Sequence, residues 1–213
     1  MQKKTANVSI FWEMLIFVVR SIMKSEIIYL EQAEIEKLFR QLYISGSKYI
    51  VRDRAIIMLA YYCALRVSEI CTMKLSDFDV QSREINCRRM QKGKDNILKI
   101  VDDRVYNALC QYYEERIAVG GDDTLFISQW NRAMTRVNVH KIFVKYCMEA
   151  SIEESKRHFQ VLRYSRVVDL INSGFDFEEV TWWIGVSHSE RTTIHELYSM
   201  VKKRSNVYIK LEK

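Results

Sequence analysis

Residues 57–79, IMLAYYCALRVSEICTMKLSDFD, carry an arginine and an acid directly after an apolar run. The apolar stretch from Ile57 to Leu65 continues into Arg66, and Glu69 follows almost one helical turn later. A guanidinium is always charged, and its planar N–H donors match the oxygens of a carboxylate or a phosphate. Arg66 therefore either reaches the surface along its alkyl chain, pairs with Glu69, or is held at a site that needs fixed positive charge.

Three further stretches place cations, amides and a phenol at defined intervals. They are QKGKDN (91–96), FQVLRYSRVVDLINSGFDFEEVTWWIG (159–185) and SERTTIHELYSMV (189–201). Together with the arginine stretch they resemble the catalytic domain of the tyrosine recombinases, the phage-integrase family, over roughly residues 27–201. The most specific piece is the first, which is similar to the family's box of an apolar helix followed by a small residue, Leu, Arg, an aliphatic residue, Ser and Glu.

The resemblance implies a role for each matching residue. It makes Arg66 and Arg163 the two catalytic arginines, Glu69 a supporting acid, Lys92 the lysine of a β-hairpin, and Tyr198 the nucleophile. No metal or other cofactor is expected, because the arginines offset charge on the phosphate oxygens, at about 3–4 kcal/mol of barrier for each such donor. Tyr198 would form a covalent phosphotyrosyl link, and Lys92 would protonate the leaving 5′ oxygen as general acid.

The sequence departs from the family pattern at its histidines. Gln160 stands where the family usually has His, Tyr164 where it often has a second His, and Val186 where His or Trp follows a glycine. Glutamine can donate a hydrogen bond to a phosphate but cannot carry a proton at a useful pKa. A weakened or substrate-restricted enzyme is the predicted consequence.

The interval to the nucleophile is also longer than is usual in the family. Tyr198 lies 35 residues after Arg163, so an insertion lies between Gly185 and Tyr198. If the insertion falls before Ser187, then His188 takes the place that Val186 leaves.

Hydrophobic periodicity predicts a chain of helices interrupted by one hairpin. Zero prolines and six glycines agree with this. Strand-like pieces within residues 83–101 flank the turn QKGKDN, and LFIS (125–128) is a short extended piece. The predicted fold class is mainly α with a small antiparallel β-sheet (α+β), and the resemblance implies the tyrosine-recombinase catalytic fold. Helices are expected from residue 29 or 30, at about 49–63, from 67, and at about 102–119, 135–150, 160–173, 176–184 and 190–203.

Composition narrows the class of protein. A chain of 213 residues with 48% hydrophobic residues can bury a hydrophobic core. A formal charge of +6 and a pI near 9.0 fit a polyanionic partner, although many protein surfaces without such a partner are as basic. The five cysteines are odd in number and show no metal-ligand spacing. Reduced thiols in a bacterial cytoplasm are therefore favoured over disulfides or a zinc site.

The N-terminus has a composition of its own. Residues 8–23, VSIFWEMLIFVVRSIM, are apolar, but Glu13 and Arg20 interrupt them, and a membrane span needs about 20 apolar residues. An amphipathic extension, a remnant of an upstream domain and an artefact of start-codon choice all remain open. We expect an extension over residues 1–25, the catalytic domain over 26–201, and a basic tail over 202–213.

The sequence thus predicts site-specific DNA recombination by strand cleavage and rejoining. The expected partners are a double-stranded DNA site and further copies of the chain, as a dimer to a tetramer, with no membrane partner. The alternative is a DNA-binding protein of the same fold with impaired catalysis, acting as an accessory or regulator.

Overall fold

Helices make up most of the structure. The computed structural model of the protein describes residues 27–211, with side chains up to residue 204, so the predicted extension over residues 1–25 lies outside the described part. The helices are α1 (Gln32–Ile44), α2 (Ile50–Tyr62), α3 (Val67–Thr72), α4 (Asp103–Val119), α5 (Arg136–Glu149), α6 (Gln160–Asn172), α7 (Phe177–Ile184) and α8 (Arg191–Leu211). Short 3-10 turns lie at Leu75–Asp77 and Glu154–Lys156.

One small sheet interrupts the helices. Its strands are β1 (Phe78–Asp79), β2 (Glu84–Cys87) and β3 (Asn96–Lys99), in the order β1-β2-β3 with antiparallel pairing throughout. The β2–β3 hairpin is the one predicted around QKGKDN, whereas β1 was not predicted. The stretch at 125–128 is not a strand of this sheet and forms one isolated bridge, between Ile127 and Ala133. The predicted fold class is confirmed.

Helix α2 is the central support of the molecule. It is apolar on nearly all sides, and its residues from Ala55 to Tyr62 are buried. An apolar helix of this kind is stable only inside a core, and α2 packs against α1, α4 and α6. The chain therefore leaves α2 from the interior of the protein, a few residues before Arg66.

The last three helices pack around a smaller apolar cluster. Val167 and Ile171 of α6, Val180 and Ile184 of α7, and Leu197 of α8 are buried in it. Helices α6 and α7 have the predicted positions, while α8 continues to Leu211 instead of ending near residue 203. Among the described residues, no helix is long and apolar enough to cross a membrane.

Candidate active site

The turn between α2 and α3 directs Arg66 inward. The amide of Leu65 donates to the carbonyl of Ala60 at 2.8 Å, and Ala64 adopts a left-handed φ of 51°. Glycine usually closes a helix in this way, and a residue with a side chain does so at a cost of roughly 1–2 kcal/mol. Arg66 comes directly before α3 and is only 7% exposed. Its guanidinium therefore does not reach out to solvent, and the pairing and site interpretations remain.

One carboxylate joins the two predicted catalytic arginines. Oε2 of Glu190 accepts from Nη2 of Arg66 at 2.5 Å and from Nη2 of Arg163 at 2.7 Å. Oε1 of Glu190 accepts from Nε of Arg163 at 2.9 Å. Two guanidinia from distant parts of the sequence thus converge on one anion. A bound phosphate oxygen would need the same arrangement of donors.

Arg163 is oriented by the ends of two other helices. Its side chain is fully buried, and Nη1 donates to the carbonyl of Ala64 after α2 at 2.5 Å and to that of Ile184 at 3.0 Å. Burial lowers the pKa of the Arg163 guanidinium and is the largest cause of its shift. The hydrogen bonds and charge of Glu190 raise this pKa, whereas the charges of Arg66 and Arg89 lower it further. The net shift is downward. The fork of Arg163 is therefore set by the packing of α2 and α7 against α6.

Glu69 collects a second set of donors, as its predicted supporting role requires. Its carboxylate accepts from the backbone amide of Arg66 at 2.9 Å, from Nη1 of Arg66 at 2.8 Å, and from the amide of Met90 at 3.0 Å. Nη1 of Arg89 lies 3.5 Å from the same carboxylate. Glu69 therefore fixes Arg66 at the start of α3 and also holds the backbone of the hairpin loop at Met90.

A third buried arginine connects the hairpin to α7. The side chain of Arg89 is fully buried. Its Nε donates to Oδ1 of Asn96 across the hairpin at 3.1 Å, and its Nη2 donates to the carbonyl of Trp183 at 2.9 Å. Nδ2 of Asn96 donates to the carbonyls of Trp182 and Trp183 at 2.8 and 2.9 Å. The hairpin is therefore hydrogen-bonded to the last turn of α7.

Lys92 lies in the turn that these contacts hold. Gln91 and Lys92 have φ values of 57° and 61°, and the amide of Gly93 donates to the carbonyl of Met90 at 3.1 Å. Two successive residues with positive φ are typical of a type I′ hairpin turn. The side chain of Lys92 is exposed, unlike the buried guanidinia of Arg66, Arg89 and Arg163. Its predicted role as general acid stays a prediction.

The residues at the family's histidine positions lie around the arginine pair. Gln160 is the first residue of α6, one helical turn before Arg163, and is partly exposed. His188 is exposed in the turn between α7 and α8, two residues before Glu190. Val186 is partly exposed and follows the left-handed Gly185 that ends α7. In the described part of the chain, no contact gives Gln160 or His188 a proton-transfer partner. Which of Val186 and His188 takes the family's histidine position therefore stays open.

Tyr198 has contacts at the far end of α7. Its ring centroid lies 5.6 Å from that of Phe177, and the ammonium of Lys202 lies 5.7 Å from the centroid of Tyr198. Phe177 opens α7, whereas the carbonyl of Ile184 that accepts from Arg163 closes it, about 10 Å away along the helix axis. The ring of Tyr198 therefore contacts Phe177 at the start of α7, whereas Arg163 contacts Ile184 at its end.

Sequence reasoning missed Arg89 and Glu190. A signal for Arg89 exists, because Ile85 and Cys87 are the buried positions of β2, and the alternation of a strand places Arg89 on the same face. Glu190 gives no such signal. An acid directly before a helix is an ordinary feature that favours the helix N-terminus, and its partners are 27 and 124 residues away.

Comparison with known proteins identifies the family. A model of the Phage integrase family matches residues 29–203. The chain belongs to this family. Among curated relatives, a tyrosine recombinase XerC of Roseiflexus castenholzii is 28% identical over 151 residues, which are 68% of this chain and 47% of the relative. A tyrosine recombinase XerD of Proteus mirabilis is 30% identical over 149 residues, which are 68% of this chain and 47% of the relative.

Solved structures agree on the fold of this phage-integrase-family chain. A crystal structure of XerA recombinase superposes with a TM-score of 0.71 at 24% identity, covering 85% of this chain and 64% of that one. XerH site-specific recombinase bound to a palindromic difH substrate, in a post-cleavage complex, gives a TM-score of 0.70 at 21% identity, covering 85% and 52%. The chain thus spans about half the length of the curated relatives that it matches. The resemblance inferred from the sequence motifs is confirmed.

Proposed function

We propose that this protein cuts and rejoins DNA at a specific site through a 3′-phosphotyrosyl intermediate. The observation that carries the proposal is the convergence of the Arg66 and Arg163 guanidinia on a single anion in a buried position. Two guanidinia fixed by the fold form a preorganised site for the charge that develops on a phosphodiester during cleavage. The names of the XerC and XerD relatives and the family membership support the same activity.

The proposed roles follow the family resemblance, and the positions of Arg66, Arg163 and Glu69 support them. Arg66 and Arg163 bind the non-bridging oxygens, and Glu69 holds Arg66 in its orientation. Lys92 reaches the leaving 5′ oxygen from the hairpin turn and protonates it. Gln160, one turn before Arg163, donates a hydrogen bond to the phosphate in place of the usual histidine.

Two roles depend on a movement. Tyr198 attacks the phosphorus as nucleophile, so α8 must first carry its phenol from Phe177 toward the arginine pair. The cationic surroundings there would favour the phenolate, since a phenol with a pKa of about 10 is mostly protonated at neutral pH. His188, in the turn that leads into α8, moves with it and donates to the phosphate.

The proposed substrate is a pair of double-stranded DNA sites, each bound by more than one copy of the chain. The XerH structure was solved bound to its palindromic difH substrate, which is a precedent for binding of a recombination site by a protein of the same fold. The net charge of +6 favours binding to the phosphate backbone. Binding of this kind weakens steeply as salt rises.

A covalent-trapping assay tests the proposal. The protein is incubated with a nicked suicide duplex that carries its own site, and a denaturing gel shows whether protein stays attached to DNA. An adduct is expected with the wild type and with Tyr208→Phe, and none with Tyr198→Phe. Specific duplex binding without any adduct would instead identify the accessory protein with impaired catalysis.

A further inference from the structure

The anion that occupies the arginine pair belongs to the protein itself. We propose that Glu190 closes the site as an internal substitute for the DNA phosphate, and that the phosphate must displace it before cleavage. The inference rests on the proposed function only in naming DNA as the source of the phosphate. The competition between a carboxylate and a phosphate follows from the geometry alone.

The contacts of Glu190 use up the donors that a phosphate needs. Its two oxygens take three N–H groups from Arg66 and Arg163, at 2.5 to 2.9 Å. The two Nη1 atoms of the pair have other partners, since Nη1 of Arg66 binds Glu69 and Nη1 of Arg163 binds two carbonyls. A phosphate oxygen can therefore reach these three donors only after Glu190 has left them.

Another buried arginine shows how a purely structural guanidinium is satisfied in this protein. Arg116 donates to the backbone carbonyls of Thr124, Gly120 and Asp122, at 2.9, 2.6 and 2.6 Å, and the carboxylate of Asp122 lies farther away, at 3.4 Å. Backbone acceptors of this kind cannot leave without unfolding the loop. The arginine pair, in contrast, faces the end of a flexible side chain, which can rotate away.

Glu190 is placed where such a rotation is possible. It lies in the turn between α7 and α8, and its side chain is 11% exposed, so it borders solvent. Its backbone is held separately, because its amide donates to the carbonyl of Ser187 and its own carbonyl accepts from Ile194. The carboxylate can therefore swing out by side-chain rotation, after which the start of α8 has lost its anchor to the arginines and its backbone hydrogen bonds open more often.

The charge balance favours replacement by another anion. Arg66, Arg89 and Arg163 carry three positive charges, and Glu69 and Glu190 carry two negative charges. Without Glu190 an additional positive charge remains buried and unpaired, which is costly. One phosphodiester charge restores the balance. Because Glu190 also ties the beginning of α8 to the arginines, its release would free the helix that carries Tyr198.

Phosphate binding to a charge-neutralised variant tests the displacement. Glu190→Gln keeps the size of the side chain and removes its charge, and Glu114→Gln makes the same charge change on the exposed surface of α4. Inorganic phosphate is titrated by calorimetry at constant ionic strength. Glu190→Gln is expected to bind phosphate at least about tenfold more tightly than the wild type, since a competing anion has gone. Glu114→Gln should match the wild type. Equal or weaker binding by a folded Glu190→Gln protein overturns the inference.

Hydrogen exchange on the wild type provides a second test of the displacement, which does not require Glu190→Gln to fold. On addition of the target duplex, peptides spanning residues 187–194 should exchange faster, because Glu190 no longer anchors the start of α8. Unchanged or slower exchange there, with the duplex bound, overturns the inference. If the wild type forms a Tyr198 adduct while either test fails, only this inference is wrong. Absence of an adduct in the trapping assay counts against the proposed function.

Discussion

Gly93 of the hairpin and Gly185 at the end of α7 lie against each other with no room for a side chain. A Cβ on Gly93 would lie 2.5 Å from the carbonyl oxygen of Gly185 and 2.8 Å from Cβ of Arg89. A Cβ on Gly185 would in turn lie 2.5 Å from the carbonyl oxygen of Lys94. This close approach, together with the bonds of Arg89 and Asn96, holds the turn that contains Lys92 against the end of α7.

Gly93→Ala is therefore expected to displace the hairpin. Forcing a methyl group into this contact costs about 1–3 kcal/mol of unfolding free energy. The two nearest atoms are the backbone oxygen of Gly185 and Cβ of the buried Arg89, and neither can move aside easily. Cleavage should fall more than stability does, since Lys92 moves with the turn. Gly46→Ala is the control, because nothing lies within 4 Å of its added Cβ. Urea denaturation and adduct formation measure the two effects; equal behaviour of both variants would contradict the expectation.

Lys92→Met is expected to slow cleavage about 10²–10⁴-fold, the range for loss of a general acid. Duplex binding should change little, because one exposed charge among many is removed. Lys94→Met, two positions along the same loop, should cleave nearly as the wild type does. A substrate with a 5′-bridging sulfur should restore cleavage by Lys92→Met, since a thiolate leaves without protonation. Single-turnover rates decide, and equal losses in the two lysine variants would exclude the assignment.

Arg163→Lys keeps the positive charge and removes the planar set of N–H donors of the guanidinium. A lysine ammonium cannot reach the carbonyls of Ala64 and Ile184 and both oxygens of Glu190 at once. We expect a loss of about 1–3 kcal/mol in unfolding free energy from buried acceptors left without donors. Adduct formation should drop by at least about 10²-fold. Arg132→Lys, on the exposed loop before α5, is the matched control and should leave both quantities unchanged.

If Arg163→Lys cleaves at the wild-type rate, the phosphate does not bind to that fork. The measurement must therefore report the chemical step, at saturating duplex concentration. A variant that folds and cleaves normally would count against the role of Arg163, whatever the result for the lysines.

The environment of His158 leads us to expect a loss of folding stability in mild acid. Its burial, and secondarily the charge of His140, lower the pKa of His158 below its usual 6.5. The unfolded chain therefore takes up this proton first as pH falls below about 6.5, so folding stability decreases until the folded pKa is reached. His158→Gln should have a flatter dependence of unfolding free energy on pH between about 7 and 5. His140→Gln should flatten it partly, by removing the neighbouring charge.

Denaturation curves at several pH values measure this slope. Identical slopes in the wild type and in His158→Gln would show that other groups control the acid sensitivity.

Local pattern was enough to predict much of this protein. The helices and the hairpin follow from periodicity and turn residues, which act over a few positions. Arg66 stands out because a charge at the end of an apolar helix conflicts with its surroundings unless it is paired. The structure confirms that it is paired, with Glu69 at 2.8 Å.

The purpose of individual residues within those motifs was less visible. Gly93 suggested a turn residue, but the positive φ values belong to Gln91 and Lys92, and Gly93 instead permits contact with Gly185. Tyr198 was chosen from its motif, and the motif could not say that its ring packs on Phe177. Both facts depend on which helix packs against which.

The sequence by itself predicted the helices, the β2–β3 hairpin, the family and the two candidate arginines, because these are encoded in short stretches whose residues interact with near neighbours. Only the tertiary structure decided that Arg66 and Arg163 share Glu190, that Arg89 joins the hairpin to α7, and that the ring of Tyr198 packs on Phe177. These relations join positions up to 124 residues apart. A buried charge takes as its partner whichever opposite charge the packing of the helices brings within reach, and no local pattern specifies that partner.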